Sequence, residues 1–138
     1  MSLAYIPKSK WREASLAFSF QQCITWFLGL LVVELNLIEY PVRELAKVNR
    51  TSFLFEFIQY PIVSSFYCIY YPLNRTLRVR ILYTSTFCTA LVIPEILFEK
   101  YTDLISYVHW EWYVSWLSIY ISLTILWYFY KWYFRLEE

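Results

Sequence analysis

Glycine is almost missing from this sequence: the 138 residues contain one, Gly29. A single glycine cannot build the loops that cradle phosphates in nucleotide-binding folds, and neither G-x-S-x-G nor H-E-x-x-H occurs. Histidine is equally scarce, with His109 alone. His109-Trp110-Glu111 matches the H-x-E half of the zinc deaminase signature, but the C-x-x-C half is missing. Cysteine is limited to Cys23, Cys68 and Cys88, an odd count, each inside an apolar run. That pattern argues against a disulfide framework or a cysteine-built zinc site, and marks the three as small buried hydrophobes. Charged residues make up 17% of the chain, where a soluble domain carries about a quarter. The net charge of +1 offers no electrostatic case for nucleic acid or an acidic substrate.

What is abundant is apolar surface, at 59% hydrophobic and 23% aromatic residues. The apolar residues fall in blocks of about 20, the length that crosses hydrocarbon as a helix. The first block is too long for a signal peptide, and Gln21, Gln22 and its aromatics do not suit one. We therefore expect an all-α integral membrane bundle of four transmembrane helices, about 16–38, 53–71, 81–98 and 113–134, with antiparallel neighbours. Residues 1–138 read as a single transmembrane domain with no separate soluble domain. Pro61 should kink the second span. The small, hydroxylated run Thr84–Ala90 favours an interior position for the third. Ser115, Ser118 and Ser122 form a stripe suited to helix contact on the fourth. Trp110, Trp112 and Trp116 at one end, with Trp127 and Trp132 near the other, read as aromatic belts. The connection 41–52 suits a short helix on the membrane surface.

Lys and Arg divide unequally between the two sides. Eight (Lys8, Lys10, Arg12, Arg75, Arg78, Arg80, Lys131, Arg135) accompany the termini, and four (Arg43, Lys47, Arg50, Lys100) lie opposite. The positive-inside rule then puts both termini in the cytoplasm. On the opposite, outer side, Glu34, Glu56 and Glu95 come from three helices at one depth. Glu99 follows Glu95 by one turn, and His109 and Glu111 open the fourth helix. Carboxylates at membrane depth are costly and tend to face inward and pair. These six residues are the candidate polar pocket. One reading is a proton or cation site, with oxygen ligands for hard ions and His109 admitting zinc; the metal is unspecified. The other pairs the carboxylates with Arg43, Arg50, Lys47 and Lys100. No catalytic residue and no cofactor is expected.

At YPVRELAKVNRTSF (Tyr40–Phe53) and FEKYTDLISYVHWEWYVSW (Phe98–Trp116) the chain resembles small multi-pass membrane proteins of Bacillus and related spore-forming Firmicutes. The Glu-Lys-Tyr-Thr-Asp and His-Trp-x-Trp runs are the most specific parts of a likeness that covers nearly the whole chain. The resemblance implies a bacterial cytoplasmic membrane and carries no activity with it. Members of that family tend to have one more hydrophobic segment ahead of the position of Ile6-Pro7, and the resemblance leaves open a shortened version or a start placed late. The expected function is a non-enzymatic accessory or regulatory membrane protein. Its partners would be the lipid bilayer and another membrane protein or itself, with no nucleic acid. The alternative is a small ion- or solute-handling protein that uses the outer carboxylates.

Overall fold

The computed structural model describes residues 6–42 and 52–136. They form an all-α bundle of four helices, three of them long and apolar enough to cross a membrane. α1 spans Trp11–Glu34, α2 Tyr60–Ile69, α3 Leu77–Tyr101 and α4 Trp112–Phe134. A π-helical segment, Phe53–Gln59, runs directly into α2. Two short strands, β1 (Ile38–Glu39) and β2 (Ser106–Tyr107), pair antiparallel with Ile38 opposite Tyr107. This ribbon ties the C-terminal ends of α1 and α3 together, so sequence neighbours run antiparallel, and it caps one end of the bundle.

α1 is inverted relative to a helix of a water-soluble protein. The buried ridge of α1 is Ala14, Ala17, Gln21, Thr25, Gly29 and Val33, spaced at three and four residues. Its exposed face carries Trp26, Phe27, Leu28 and Leu31. Small and polar groups lie inward and large apolar ones outward, as hydrocarbon surroundings favour and water does not. α4 is mixed: Ser115 and Ser122 are buried alongside Ile119, Leu123, Leu126, Trp127 and Tyr130, while Leu117, Ile121 and Ile125 are exposed. Beneath the ribbon end the centre is dry: Ala17, Cys88, Leu123 and Leu126 are fully enclosed, with Cys68 and Trp127 around them.

Several expectations are corrected. The first span was expected to reach Ile38, but α1 stops at Glu34. Asn36 takes a left-handed backbone (φ 53°), and the amides of Asn36 and Leu37 bond back to the carbonyls of Val33 and Val32. Asparagine tolerates that conformation and ends helices much as glycine does. The second apolar helix is shorter than expected: seven π residues and ten α residues reach roughly 25 Å. α2, not α3, occupies the interior, since seven of its ten residues are buried. Thr86, Thr89 and Ala90 of α3 are exposed. Cys23 is exposed as well, while Cys68 and Cys88 are buried. Of the belt tryptophans, Trp112 and Trp132 are exposed at opposite ends. Trp127 instead stacks on Tyr71 inside the bundle, with centroids 3.7 Å apart. The surface helix expected after Pro41 falls mostly outside the described residues.

Candidate cation site

Pro61 shapes the site from a distance. It has no N–H, so one upstream carbonyl lacks a helical partner: that of Phe57 in an α register, that of Glu56 in a π register. α1 supplies donors to both. Gln22 Nε2 donates to the Phe57 carbonyl at 2.8 Å, and Thr25 Oγ1 donates to the Glu56 carbonyl at 2.7 Å. Tyr60 N–H closes a π-type bond on the Phe55 carbonyl. One turn along the same α1 face lies Gly29. A Cβ there would overlap the Glu56 carboxylate, so the only glycine of the chain opens room for that side chain.

Glu56 is 7% exposed, and its Oε1 accepts from the Tyr40 hydroxyl at 2.8 Å. Glu95, on α3, is 6% exposed. Its Oε1 accepts from Tyr107 OH at 2.6 Å and from Ser115 Oγ at 2.5 Å. Ser115 in turn accepts from the Trp110 indole N–H at 2.7 Å. Tyr40 follows β1 and Tyr107 belongs to β2, so the ribbon lowers one phenol onto each carboxylate. Burial, and then the charge of Glu56, pushes the Tyr40 hydroxyl well above its usual range. Tyr107 is raised by burial and by Glu95. Both phenols therefore remain protonated donors at neutral pH.

The two carboxylates line one cavity of about 100 Å³, together with Tyr40, Thr25, Ser115, Ser118 and Ser122. Every described residue on its wall other than Glu56 and Glu95 is neutral. Ser122 bonds the Tyr60 hydroxyl at 2.7 Å and accepts from Gln21 at 3.3 Å, which forms the polar floor. Below that floor lies the dry layer. At about 30 Å³ per water, the volume holds roughly three waters or a small ion. It falls far below the roughly 300 Å³ at which organic-ligand pockets begin. Carboxylate and hydroxyl oxygens are hard donors, suited to a proton or a hard cation.

Only part of the candidate pocket is brought together. Glu56 and Glu95 share the cavity. Glu34 is exposed at the end of α1 and Glu99 is half-buried one turn beyond Glu95, near enough to act on the Tyr107 hydroxyl. His109 and Glu111 are exposed. Among the described residues no group of three or more His, Cys, Asp and Glu side chains could hold a metal ion. Of the ion-pair partners, Arg43, Lys47 and Arg50 lie outside the described residues. Lys100 is exposed, with its Nζ 5.5 Å from the centroid of the Tyr101 ring. The sequence reading missed Tyr40, Tyr107, Thr25 and Trp110 as site residues. The isolated Gly29, one turn from Thr25 in an otherwise bulky span, was the available signal. The serine stripe of α4 lines the cavity with Ser115, Ser118 and Ser122. Comparison with known proteins returns no match, whether to a family model, a curated protein or a solved structure.

Proposed function

We propose that this is a non-enzymatic, multi-pass protein of a bacterial cytoplasmic membrane, with both termini cytoplasmic, that takes a small cation into the ribbon-end cavity. The carrying observation is Glu95, a buried carboxylate whose hydrogen bonds come from two neutral hydroxyls, on a cavity that it shares with Glu56. Such a carboxylate is costly at membrane depth unless a proton or cation compensates it. The apolar layer of Ala17, Cys88, Leu123 and Leu126 beneath Ser122 favours a regulatory or accessory role over conduction, because among the described residues it separates the cavity from the other end of the bundle. Eight basic residues beside the termini against four opposite support the orientation. The likeness of Tyr40–Phe53 and Phe98–Trp116 to the Bacillus membrane proteins supports the location.

The test uses the Trp110 indole, which is one hydrogen bond from Ser115 and two from Glu95. Protein in lipid nanodiscs is titrated with protons, Na⁺, K⁺, Mg²⁺ and Ca²⁺, and emission is compared with that of Trp110→Phe. We expect a saturable change with at least one cation, absent in Glu95→Gln. No response to any of them, or an unaltered response in Glu95→Gln, would reject the proposal.

A further inference from the structure

At the end of the bundle opposite the ribbon, the outer face of α1 changes character. Further along the helix the residues turned outward are large, Trp26, Phe27, Leu28 and Leu31. In its first turns the outward residues include Ser15 and Ser19, four apart and both exposed. With Trp11 they make a low ridge that has a groove on either side. The groove toward α2 measures about 360 Å³ and continues over Ile6, Phe18 and Ile62. The groove toward α4 measures about 450 Å³ and continues over Arg12, Leu16, Tyr133 and Phe134. Trp11, Ser15 and Ser19 line both.

Beyond the ridge and the mouth the walls are apolar. Ser65, in the first groove, commits its hydroxyl to the Ala14 and Pro61 carbonyls at 3.1 and 2.9 Å. Arg12 is the one charged residue among the described lining residues of both grooves, and none of them is acidic. A short 3₁₀ turn, Lys8–Lys10, leads directly into α1, so two further cations precede Arg12 at this end. Lys8 and Arg12 are exposed. Glu13, the neighbouring acid, already accepts from the Tyr130 hydroxyl. Trp11 and Tyr133, 47% and 55% exposed, flank the mouth as interfacial aromatics do.

We infer that the two grooves hold one anionic phospholipid, with an acyl chain on each side of the Ser15–Ser19 ridge and the phosphate at Arg12. The inference rests on the chain spanning a membrane and is independent of the cation cavity. The dimensions agree with it. Trp11 to Ser19 rises about 12 Å along α1, most of the depth of one leaflet in a bilayer with about 30 Å of hydrocarbon. A methylene takes nearly the space of a water, roughly 30 Å³, so the grooves have room for roughly 12 and 15 methylenes. Each is the size of an acyl chain. Charge then selects the headgroup, because Lys and Arg beside a membrane attract anionic lipid, and the guanidinium fork matches phosphate. The same charge disfavours a second copy as the occupant. A two-fold contact between parallel chains would set Lys8, Lys10 and Arg12 of one against those of the other.

The test uses the full chain. Retention of phosphatidylglycerol against phosphatidylcholine in mild neutral detergent is read by native mass spectrometry, which also reports the oligomeric state. In nanodiscs, quenching of Trp11 by dibrominated phosphatidylglycerol or phosphatidylcholine is taken as the difference from Trp11→Phe. We expect preferential retention of phosphatidylglycerol, and stronger quenching by its brominated form. Ser15→Leu combined with Ser19→Leu raises the ridge into both grooves and leaves every charge in place. Both serines are exposed, so the leucines project away from the core, and retention should be lost. Arg12→Gln should lower the preference for phosphatidylglycerol about fivefold, and Arg12→Lys should keep most of it. Glu95→Gln should leave retention unchanged, so the cation proposal can fail without touching this one. Equal retention of the two lipids by the wild type overturns the inference. So does wild-type retention of phosphatidylglycerol in the folded double-leucine variant. A wild-type dimer that this variant dissolves also overturns it, and assigns the grooves to a second copy.

Discussion

A methyl group added at Gly29 has no space while Glu56 keeps its position. Gly29→Ala therefore sets two effects against each other. Alanine favours the helix over glycine by about 1 kcal/mol. Against this, overpacking a filled interior costs about 1–3 kcal/mol. If Glu56 swings away instead, the bond from Tyr40 is lost, a charge-assisted contact of roughly 1.5–3 kcal/mol. The net expectation is a destabilisation of about 1–2 kcal/mol, combining these ranges. In a Glu56→Ala background the obstacle is gone, and the same substitution should be neutral or stabilising by up to about 1 kcal/mol. The coupling between the two sites should then be about 1–3 kcal/mol, outside the additivity of independent positions. Reversible unfolding in mixed micelles, followed by tryptophan emission for the wild type, both single variants and the double variant, measures it. Additivity to within about 0.5 kcal/mol would refute the contact and the placing of the carboxylate against α1.

Thr25→Val should cost about 1–3 kcal/mol by leaving the Glu56 carbonyl without its donor. Pro61→Ala, which restores an N–H to the segment, should recover part of that loss in the same unfolding assay. Tyr40 and Tyr107 have raised folded-state pKa values, so the folded form holds their protons more tightly than the unfolded form, which titrates at about 10. Their contribution is thus fully present below about pH 10 and lost as pH rises above it, which unfolding measured across alkaline pH would show. Phenylalanine at both positions should flatten that decline, and an unchanged slope would count against the burial of the two phenols. In whole cells, a cysteine placed by Asn36→Cys should react with an impermeant maleimide while one placed by Asn74→Cys should not, in a background lacking the native cysteines. The reverse pattern would invert the proposed orientation.

Helix number and approximate extent were legible because hydrocarbon thickness demands apolar runs of about 20 residues, which the amphipathic helices of soluble domains lack. The two buried carboxylates were legible because charge at that depth needs an explanation. Their neighbours were less so. Glu34 has the same sequence signature as Glu56, an acid about one turn from a span's end. It is exposed because α1 ends at Glu34 and the chain turns at Asn36. Periodicity does not report such a turn, although the Asn itself was a usable sign. The ribbon was also hidden, since two-residue strands leave no alternation to read. Trp110 and Trp127 looked like belt residues because composition places tryptophan at interfaces, whereas here one donates to Ser115 and the other stacks on Tyr71.

The polar residues that form the candidate site also hold the helices together, and this follows from the solvent. Between helices in lipid the hydrophobic effect supplies little, so close packing and interhelical hydrogen bonds must do more. α1 meets the π-helical segment through Gln22 to Phe57 and Thr25 to Glu56, and α2 through Ser65 to the Ala14 carbonyl, three bonds spread along the contact. α4 joins through Ser122 to Tyr60, and through the Tyr130 hydroxyl, which donates to Glu13. Each is worth about 0.6–1 kcal/mol in a bilayer, so none dominates. Glu56 has a role in both sets: its carbonyl accepts from Thr25 and its carboxylate lines the cavity. A change in what occupies the cavity therefore acts on the same segment that docks α2 against α1. That shared segment gives a cation at the ribbon end a physical route to alter helix packing, which an accessory or regulatory protein requires and an inert anchor does not.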